Sequence, residues 1–478
     1  MTFSCRRIDE VTWEIPLGAQ AGMRVPARVI ADDELFEALA GDRSLEQLAN
    51  VATLPGIVGF AVAMPDIHQG YGFPVGAVAA TGLDEGVVSP GGVGYDINCG
   101  VRLLALDVSA EELGPRLERL MHELARAVPS GAGRGGRLEL SGRDLDGVLA
   151  EGAPYAVREL GMGEEDDLAW AESGGCLPGA DPAQVSSRAK ERGRDQLGTI
   201  GSGNHFLELG RVERVEDAAA AAAFGLREGQ VTALIHTGSR GLGHQVCTDY
   251  VRAMEPRLAG WGIRLPDRQL SCAPLSSPEG RGYLAAMGGA ANFAWANRQV
   301  IAHRVREAAE RILGRDGAAL VRPVYDVAHN VAKMEEHGGA ELCVHRKGAT
   351  RAFGPARGAD LPAAFAEVGQ PVFIPGSMGT ASWVLRGDDG SEERSFGTAC
   401  HGAGRRLSRT QARKRISGAE LRRQLEEGGV VVRAASQRGL AEEAPFAYKD
   451  VDRVVDVVDR ARIARRVARL VPIGVVKG

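Results

Sequence analysis

Short apolar runs that end in glycine-rich or polar loops dominate the hydrophobic pattern of the chain. Runs of this length, bounded by turn residues, are typical of buried strands. They lie at positions 57–64, 101–108, 231–235, 321–327 and 372–374. Residues 1–30 are also strand-like, with alternating apolar positions around 13–15. The pattern predicts many short strands connected by functional loops.

Helical periodicity is confined to fewer segments. The longest helical pattern ends at Gly314, which is suited to a C-cap. The predicted helices lie at 32–48, 110–127, 282–313, 418–427 and 450–467, and 131–147 is predicted as a loop. Loops with candidate catalytic or ligand residues recur from residue 66 to 477, and no linker is evident between them. We therefore expect one large catalytic unit over 1–478, with a helical insertion at about 245–320.

Composition narrows the classes of protein. The 478 residues are 44% hydrophobic, enough for a large core, and the formal net charge of -5 excludes a globally basic nucleic-acid binder but not a local basic groove. No run of about 18 apolar residues could form a transmembrane helix, and charged residues interrupt the N-terminal segment where a signal peptide would lie. The seven cysteines form no CxxC pair. We therefore expect a cytoplasmic protein without a disulfide framework.

One glycine-rich stretch carries the first candidate chemistry. Residues 91–100 read GGVGYDINCG and hold Asp96 and Cys99 three residues apart. Glycine is favoured where the backbone turns tightly or approaches a ligand closely. A carboxylate and a thiolate in such a turn form half of a metal site, so the other ligands must come from elsewhere in the chain.

Four histidines in loops at the ends of apolar runs could complete this site. They are His205, His236, His329 and His401. One histidine at a strand end is more often structural than a ligand, but four of them beside Asp96 and Cys99 favour a metal site. Histidine, thiolate and carboxylate suit Zn, Mn, Fe or Co, and a bridging thiolate would allow two ions. The sequence does not show which of these residues converge.

Two further glycine-rich loops, 376–382 and 401–405, could bind phosphate through backbone N–H groups. Neither is a Walker P-loop, and each alone is more often an ordinary tight turn. Basic residues at 188–194 and 405–415 adjoin candidate loops, which favours a groove for a phosphate backbone. Aromatic residues make up only 5% of the chain, so base stacking is not expected to dominate binding.

Ten motifs follow one another over nearly the whole chain. They are MPD (64–66), GYDINCG (94–100), GSGNHFLE (201–208), HTGSRGLG (236–243), DVAHN (326–330), HRKGATRA (345–352), PGSMGTAS (375–382), CHGAGR (400–405), AYKD (447–450) and VVKG (475–478). On these motifs the chain resembles the RtcB family of RNA ligases. The resemblance implies an α+β fold with mixed and antiparallel sheets, in which strand-end glycine-rich loops form a central metal site.

The resemblance also implies roles for single positions. Asp96, Cys99, His205, His236 and His329 match the ligands of two Mn²⁺ ions, with Cys99 as the bridge, and His401 matches the histidine that is guanylylated. The implied nucleotide-binding positions are Asn204, His205, Phe206, Leu207, Glu208, His329, Asn330, Pro375, Gly376, Ser377, Met378, Ser382, His401, Gly402, Ala403, Gly404, Tyr448 and Lys477. Trp383 and Leu407 stand where tyrosine and methionine are commoner in the family, and both departures should alter packing only. No motif of the family falls within 131–179.

The implied reaction joins RNA 3'-phosphate or 2',3'-cyclic phosphate ends to 5'-hydroxyl ends. It uses GTP and two Mn²⁺ ions, through a covalent histidine–GMP intermediate and an RNA 3'-pp-5'-G intermediate. A cyclic phosphate would first be hydrolysed to the 3'-phosphate. The implied partners are RNA, in tRNA splicing or RNA repair, and an archease-type activator; a monomer that needs no membrane is expected.

Two other functions fit the residues considered without the resemblance. A binuclear metallohydrolase, such as a phosphatase or nuclease, would use the same ligands but would not need the His401 loop or Lys477. An RNA-binding protein with a structural metal would have closed coordination and no turnover. Covalent labelling by GTP distinguishes the ligase from both.

Overall fold

A computed structural model describes residues 3–131, 133 and 135–478. Its strands are β1 (Arg6–Asp9), β2 (Thr12–Ile15), β3 (Ala27–Ile30), β4 (Ala61–His68), β5 (Val75–Gly82), β6 (Val87–Val88), β7 (Gly100–Ser109), β8 (Phe206–Val215), β9 (Gln230–Thr237), β10 (Ala273–Pro274), β11 (Val321–Ala328), β12 (Asn330–His337), β13 (Ala340–Lys347), β14 (Ala349–Arg351), β15 (Pro371–Ile374), β16 (Ser382–Gly387), β17 (Thr398–Cys400), β18 (Val431–Ala434) and β19 (Ala464–Lys477).

The α-helices of the same residues connect these strands, together with short 3-10 turns. They are α1 (Asp33–Glu37), α2 (Ser44–Val51), α3 (Pro90–Val93), α4 (Ala110–Leu113), α5 (Leu117–Ala127), α6 (Gly142–Glu151), α7 (Ala153–Arg158), α8 (Ser187–Gly193), α9 (Ala218–Ala223), α10 (Arg240–Met254), α11 (Pro278–Leu313), α12 (Gly317–Leu320), α13 (Gly390–Ser395), α14 (Arg409–Arg415), α15 (Gly418–Glu427), α16 (Gln437–Glu442) and α17 (Val451–Arg460). None of these described helices combines the length and apolarity needed to cross a membrane.

Two large sheets organise the described chain. The first has the strand order β1-β2-β3-β4-β5-β13-β12, and the second has the order β11-β7-β9-β8-β19-β16-β15, with β18 beside β19. Most neighbours are antiparallel, while the pairs β3–β4 and β18–β19 are parallel. The α+β fold with mixed sheets that the resemblance implied is therefore confirmed.

Both faces of the second sheet are buried. Successive residues of β7 alternate between two apolar clusters: Val101 and Leu103 pack on one face, and Leu104 and Leu106 pack on the other. The long helix α11 contributes to the second cluster. The dense apolar run predicted as a strand thus reflects burial on both sides, which is typical of a central strand.

Five neighbouring strands of this sheet, β11, β7, β9, β8 and β19, bring the loops that carry the predicted ligands to the same end of the sheet. The register pairs Gly100 at the start of β7 with Ala328 at the end of β11 and with Thr237 at the end of β9. Phe206 at the start of β8 lies opposite His236 and opposite Lys477 near the end of β19. Because antiparallel neighbours alternate in direction, the starts of some strands meet the ends of others here.

Several predicted elements need correction. Segment 450–467 is not one helix: α17 ends at Arg460 and β19 begins at Ala464, where arginines are interspersed among buried apolar residues. Segment 32–48 divides into α1 and α2, and Gly41 between them has a positive φ of 84°. Within the predicted loop 131–147, Ser141 caps a helix by accepting a hydrogen bond from the Asp144 N–H.

The long helix predicted at 282–313 is present as α11, one turn longer at its start. Helices α10, α11 and α12 cover much of 245–320, but whether this segment is an insertion into a single catalytic unit stays a prediction. Positions 1, 2, 132 and 134, which belong to the predicted strand-like and loop segments, lie outside the described residues.

Candidate metal and nucleotide site

The predicted metal ligands converge on the sulfur of Cys99. Its Sγ atom lies 3.3 Å from His205 Nε2, 3.3 Å from His236 Nε2 and 3.4 Å from His329 Nε2. Asp96 Oδ2 lies 2.9 Å from His205 Nε2. The donors form two groups, Asp96–Cys99–His205 and Cys99–His236–His329, within each of which the ligand atoms lie within 4.8 Å of one another. Cys99 belongs to both.

The loop between Asp96 and Cys99 explains the glycines that surround it. Gly94 has a positive φ of 96°, and Asn98 has a left-handed φ of 50°, a conformation that asparagine tolerates. The Cys99 N–H then donates to the Asp96 carbonyl over 2.9 Å. A Cβ atom at Gly100 would collide with the Val327 carbonyl oxygen, so the start of β7 requires glycine.

A buried arginine of α11 holds three of the ligand-bearing loops. The Arg298 guanidinium donates to the Asn98 carbonyl and to the Thr237 carbonyl, both over 2.9 Å. It also forms an ion pair with Asp326 at 2.8 Å, and Arg102 pairs with the same carboxylate at 2.7 Å. Asn98 precedes Cys99, Thr237 follows His236, and Asp326 lies three residues before His329, so the helix fixes the loops from behind.

The electrostatics of the donors fit a bound cation. Burial lowers the pKa of His236 and of His329 well below the usual value, which keeps both rings neutral. Burial and the Asp96 carboxylate raise the pKa of the Cys99 thiol well above its usual value, so a thiolate there needs a nearby positive charge. His205 Nδ1 lies 3.1 Å from the Ile200 carbonyl, an acceptor that assigns the ring proton to Nδ1. The His205 Nε2 lone pair then faces an anionic oxygen, an arrangement that a metal ion would relieve.

His401 differs from the other three histidines in the partner of its Nδ1 atom, which is a buried carboxylate. Its Nδ1 atom lies 2.6 Å from Asp66 Oδ2, and its backbone N–H donates to the same oxygen over 3.2 Å. Because a carboxylate accepts hydrogen bonds, this contact assigns the ring proton to Nδ1 and leaves the Nε2 lone pair available. The His401 ring stands 5.0 Å, centroid to centroid, from that of His329. A histidine with a free Nε2 thus lies beside the metal donors.

A cavity of about 260 Å³ joins these groups. Of the predicted site residues, those lining it are Asp96, Cys99, Asn204, Phe206, His236, His329, Asn330, Pro375, Gly376, Ser377, Met378, His401, Gly402, Ala403, Gly404, Tyr448 and Lys477. His205, Leu207, Glu208 and Ser382 are not in its lining. Leu207 instead packs in the apolar core, because successive residues of β8 face opposite sides of the sheet. Ser382 lies behind the wall, where its Oγ accepts the Gly376 N–H over 3.2 Å.

Charged groups cluster around Lys477 at one side of the cavity. The Lys477 ammonium donates to the His205 carbonyl over 3.1 Å, and burial lowers its pKa to about 8. Burial raises the pKa of the Glu208 carboxyl to about 8, although Lys477 opposes this. Glu443 accepts hydrogen bonds from Arg405 over 2.8 Å and from Arg409 over 3.0 Å. This side offers several cations to a phosphate-bearing ligand.

Several site residues were not predicted, and four of them contribute charged or aromatic side chains. Asp66 holds His401, Glu443 holds two arginines, and Lys347 and Tyr95 line the cavity. Asp66 carried a weak signal, because it directly follows a buried apolar run and falls in the MPD motif. Lys347 and Tyr95 fall in recognised motifs, whereas Glu443 lies in none of them.

The site and fold together define a class: an α+β protein whose strand-end loops build a candidate metal centre beside a histidine that a buried carboxylate holds through Nδ1. The family model described as "tRNA-splicing ligase RtcB" matches residues 47–478. The chain is 55% identical to the tRNA-splicing ligase RtcB of Thermococcus kodakarensis, with 99% of this chain and 98% of that protein covered. It is 54% identical to the RNA-splicing ligase RtcB of Mycobacterium tuberculosis, with 90% of this chain and 100% of that protein covered. The chain therefore belongs to the RtcB family, and the resemblance seen in its motifs is confirmed.

Proposed function

We propose that this protein is an RNA ligase that joins RNA 3'-phosphate or 2',3'-cyclic phosphate ends to 5'-hydroxyl ends, using GTP through a covalent His401–GMP intermediate. Membership of the RtcB family supports RNA ligation as the activity. The GTP-dependent route is carried by one observation: Asp66 occupies Nδ1 of His401 and leaves Nε2 facing a cavity that the metal donors share. A metallohydrolase could use such a histidine as a general base but would form no covalent bond between it and GMP, so covalent labelling distinguishes the two.

In the first step, His401 Nε2 attacks the α-phosphorus of GTP. A P–N bond forms, the bond to the bridging oxygen breaks, and pyrophosphate leaves. The imidazole becomes positively charged as it attacks, and the Asp66 carboxylate stabilises that charge through the Nδ1–H hydrogen bond. Asp66 also orients the ring.

Two groups of residues would hold divalent ions such as Mn²⁺: Asp96, Cys99 and His205 for one ion, and Cys99, His236 and His329 for the other, with Cys99 as the bridge. When bound, such ions supply positive charge to the phosphate oxygens as charge shifts during transfer. The neutral rings of His236 and His329 and the shared sulfur fit this role.

In the following steps, an oxygen of the RNA 3'-phosphate attacks the phosphorus of His401–GMP. The P–N bond breaks, His401 regains its lone pair, and the RNA end becomes 3'-pp-5'-G. The RNA 5'-hydroxyl then attacks the phosphorus of the former 3'-phosphate and expels GMP. Lys477, Arg405 and Arg409 lie where they can bind the phosphate groups of the nucleotide. Participation of an archease-type activator, a monomeric state and a cytoplasmic location stay predictions.

The test is covalent labelling with GTP. Wild-type protein incubated with α-labelled GTP and Mn²⁺ should acquire acid-labile label, and His401→Ala should acquire none. His303→Ala is the matched control, because His303 is partly exposed on α11 and pairs only with Glu307 in the described ion pairs. Label on His401→Ala equal to that on wild type would overturn the assignment. Phosphate release from RNA without GTP and without label would favour the metallohydrolase instead.

A further inference from the structure

An aromatic cluster lies beside the metal donors and has no part in the chemistry described above. Tyr95 immediately precedes Asp96, lines the cavity and contacts two other aromatic rings. The Tyr71 ring meets it edge-on, with centroids 5.1 Å apart and planes at 62°, and the His244 ring stacks on it at 4.7 Å and 27°. Tyr71 and Tyr95 are half-buried and His244 is exposed, so this aromatic ledge (Tyr71, Tyr95 and His244) reaches the surface.

Lys347 holds the two loops that carry the tyrosines of the ledge. The buried ammonium of Lys347 donates to the Tyr71 carbonyl and, over 3.1 Å, to the Gly91 carbonyl. It thereby ties the loop that carries Tyr71 to the loop that carries Tyr95. A Cβ atom on Gly94 would already touch Lys347 Cε at 3.4 Å, so the turn before Tyr95 packs directly on this lysine. A stacking surface fixed in advance loses little conformational freedom when a ligand binds.

Positive charge adjoins the ledge. Arg192 is exposed and donates to the Gln245 side chain over 3.0 Å, next to His244. Burial and the Arg192 charge lower the pKa of His244, which favours a neutral ring. Arg240 begins helix α10, which also carries His244, and donates to the Thr199 hydroxyl over 3.0 Å. Aromatic faces next to cationic side chains are the combination that binds single-stranded nucleic acid, through base stacking and phosphate contacts.

Tyr95 lines the same cavity as His401 and Lys477 but reaches it from a different strand of the sheet. Tyr95 belongs to the loop that enters β7, whereas Lys477 and the residues around it belong to β19 and to the loops beyond. In the sheet order, β9 and β8 separate β7 from β19. Three strand spacings amount to about 14 Å. A nucleotide held at His401 with its guanine on the Lys477 side would leave the Tyr95 side of the same cavity for the RNA.

We propose that the aromatic ledge stacks a nucleobase of the RNA strand at the reacting end, with the Tyr95 ring as the contact surface. This inference rests on the proposed RNA ligase function and adds a positioning residue to it. The stacked base would place the adjoining phosphate or hydroxyl next to Asp96 and Cys99. Both reacting ends carry a terminal base, so the 3'-phosphate strand and the 5'-hydroxyl strand share this chemistry.

The test uses 2-aminopurine as a fluorescent terminal base, because stacking on an aromatic ring quenches its emission. The probes are one RNA with 2-aminopurine at the 3'-phosphate end and one with it at the 5'-hydroxyl end, each titrated with the full-length protein and Mn²⁺. One probe should be quenched by wild type and by Tyr95→Phe, but not by Tyr95→Ala; which probe responds identifies the strand. Affinity should fall roughly 5- to 150-fold in Tyr95→Ala, the range found for loss of one stacked base.

A second measurement separates stacking from damage to the neighbouring ligand Asp96. RNA with an abasic residue at the responding end should bind wild type and Tyr95→Ala equally well, since no base is left to stack. An equal loss of affinity on intact and abasic RNA, or quenching that survives in Tyr95→Ala, would overturn the proposal. Slower guanylylation of Tyr95→Ala that saturating GTP restores would place guanine on the ledge and would also overturn it. If the wild-type protein ligates RNA but quenches neither probe, only the stacking proposal is refuted. If the wild-type protein neither binds nor ligates RNA, the proposed function is refuted.

Discussion

Replacing Asp66 by asparagine should slow guanylylation of His401 without abolishing it. Asp66 is fully buried, and its Oδ2 accepts two hydrogen bonds from His401, one from Nδ1 and one from the backbone N–H. The backbone N–H cannot accept a hydrogen bond, so an asparagine must place its amide oxygen at this point. The ring proton then stays on Nδ1, and only the negative charge is lost.

The size of the effect follows from that loss. A hydrogen bond to a charged group contributes about 1.5–3 kcal/mol, roughly twice a neutral one. The charge of Asp66 matters most when the imidazole becomes cationic, so most of this energy belongs to the transition state. Asparagine keeps a neutral hydrogen bond, so about half of this energy is lost, roughly 0.75–1.5 kcal/mol, which corresponds to a fall of about 4- to 12-fold in rate. Asp66→Ala should lose more, because neither the tautomer nor the ring orientation of His401 would then be fixed.

The assay is single-turnover transfer of label from α-labelled GTP to the protein, at saturating GTP and Mn²⁺. The matched control is Asp360→Asn, since this carboxylate is exposed and pairs with Arg357. Thermal unfolding of each variant checks that the fold persists. If Asp66→Asn is guanylylated at a rate within about threefold of the wild-type rate, the role assigned to the carboxylate is refuted. A rate as low as that of Asp66→Ala would show that the tautomer is lost as well.

Two further changes test other parts of the molecule. Cys99→Ala should lose both metal ions, because Cys99 belongs to both donor groups, whereas His236→Ala should lose only one; metal analysis after dialysis measures this, and two ions retained by Cys99→Ala would contradict the bridge. Although burial alone would raise the pKa of Glu335, the Arg346 guanidinium holds it well below the usual 4.5. A carboxyl with a lowered pKa stabilises the fold above about pH 4.5, and this stabilisation is lost as the pH falls. Glu335→Gln should therefore lower the free energy of unfolding, measured in urea at pH 7, by about 3–5 kcal/mol. The fall of the unfolding free energy towards acid pH should also become less steep. An unchanged steepness would contradict this.

The sequence was most informative about residues that follow apolar runs. Cys99, His236 and His329 each lie where a buried strand begins or ends, and strand ends meet at one sheet edge. Local pattern therefore singled out the residues that the structure brings together around Cys99, whereas the nucleophilic role of His401 came from the family resemblance and stays a prediction. Local pattern could not find Asp66 as the partner of His401, because 335 residues separate the two and the contact depends on how two loops fold together.

The C-terminal strand shows a second limit of local pattern. Residues 450–467 contain many charges at spacings that suit a helix, and the first part is indeed helical. Beyond it, Arg465 and Arg466 read as polar, yet they lie in β19 and pair with aspartates on neighbouring elements. Long arginine side chains can leave a strand to reach such partners, so their charge conceals the strand.

The ion pairs of Arg298 and Arg102 with Asp326 bear on how the protein folds. All three side chains are almost fully buried, and an unpaired charge there would cost several kcal/mol. Helix α11 therefore cannot dock on the sheet with only part of this cluster in place. Since the same guanidinium holds Asn98 and Thr237, we expect the loops of Cys99 and His236 to become ordered together with the helix. Partly folded chains with two or three donors in position should be sparsely populated, and this would restrict metal capture to chains that have already closed around the site.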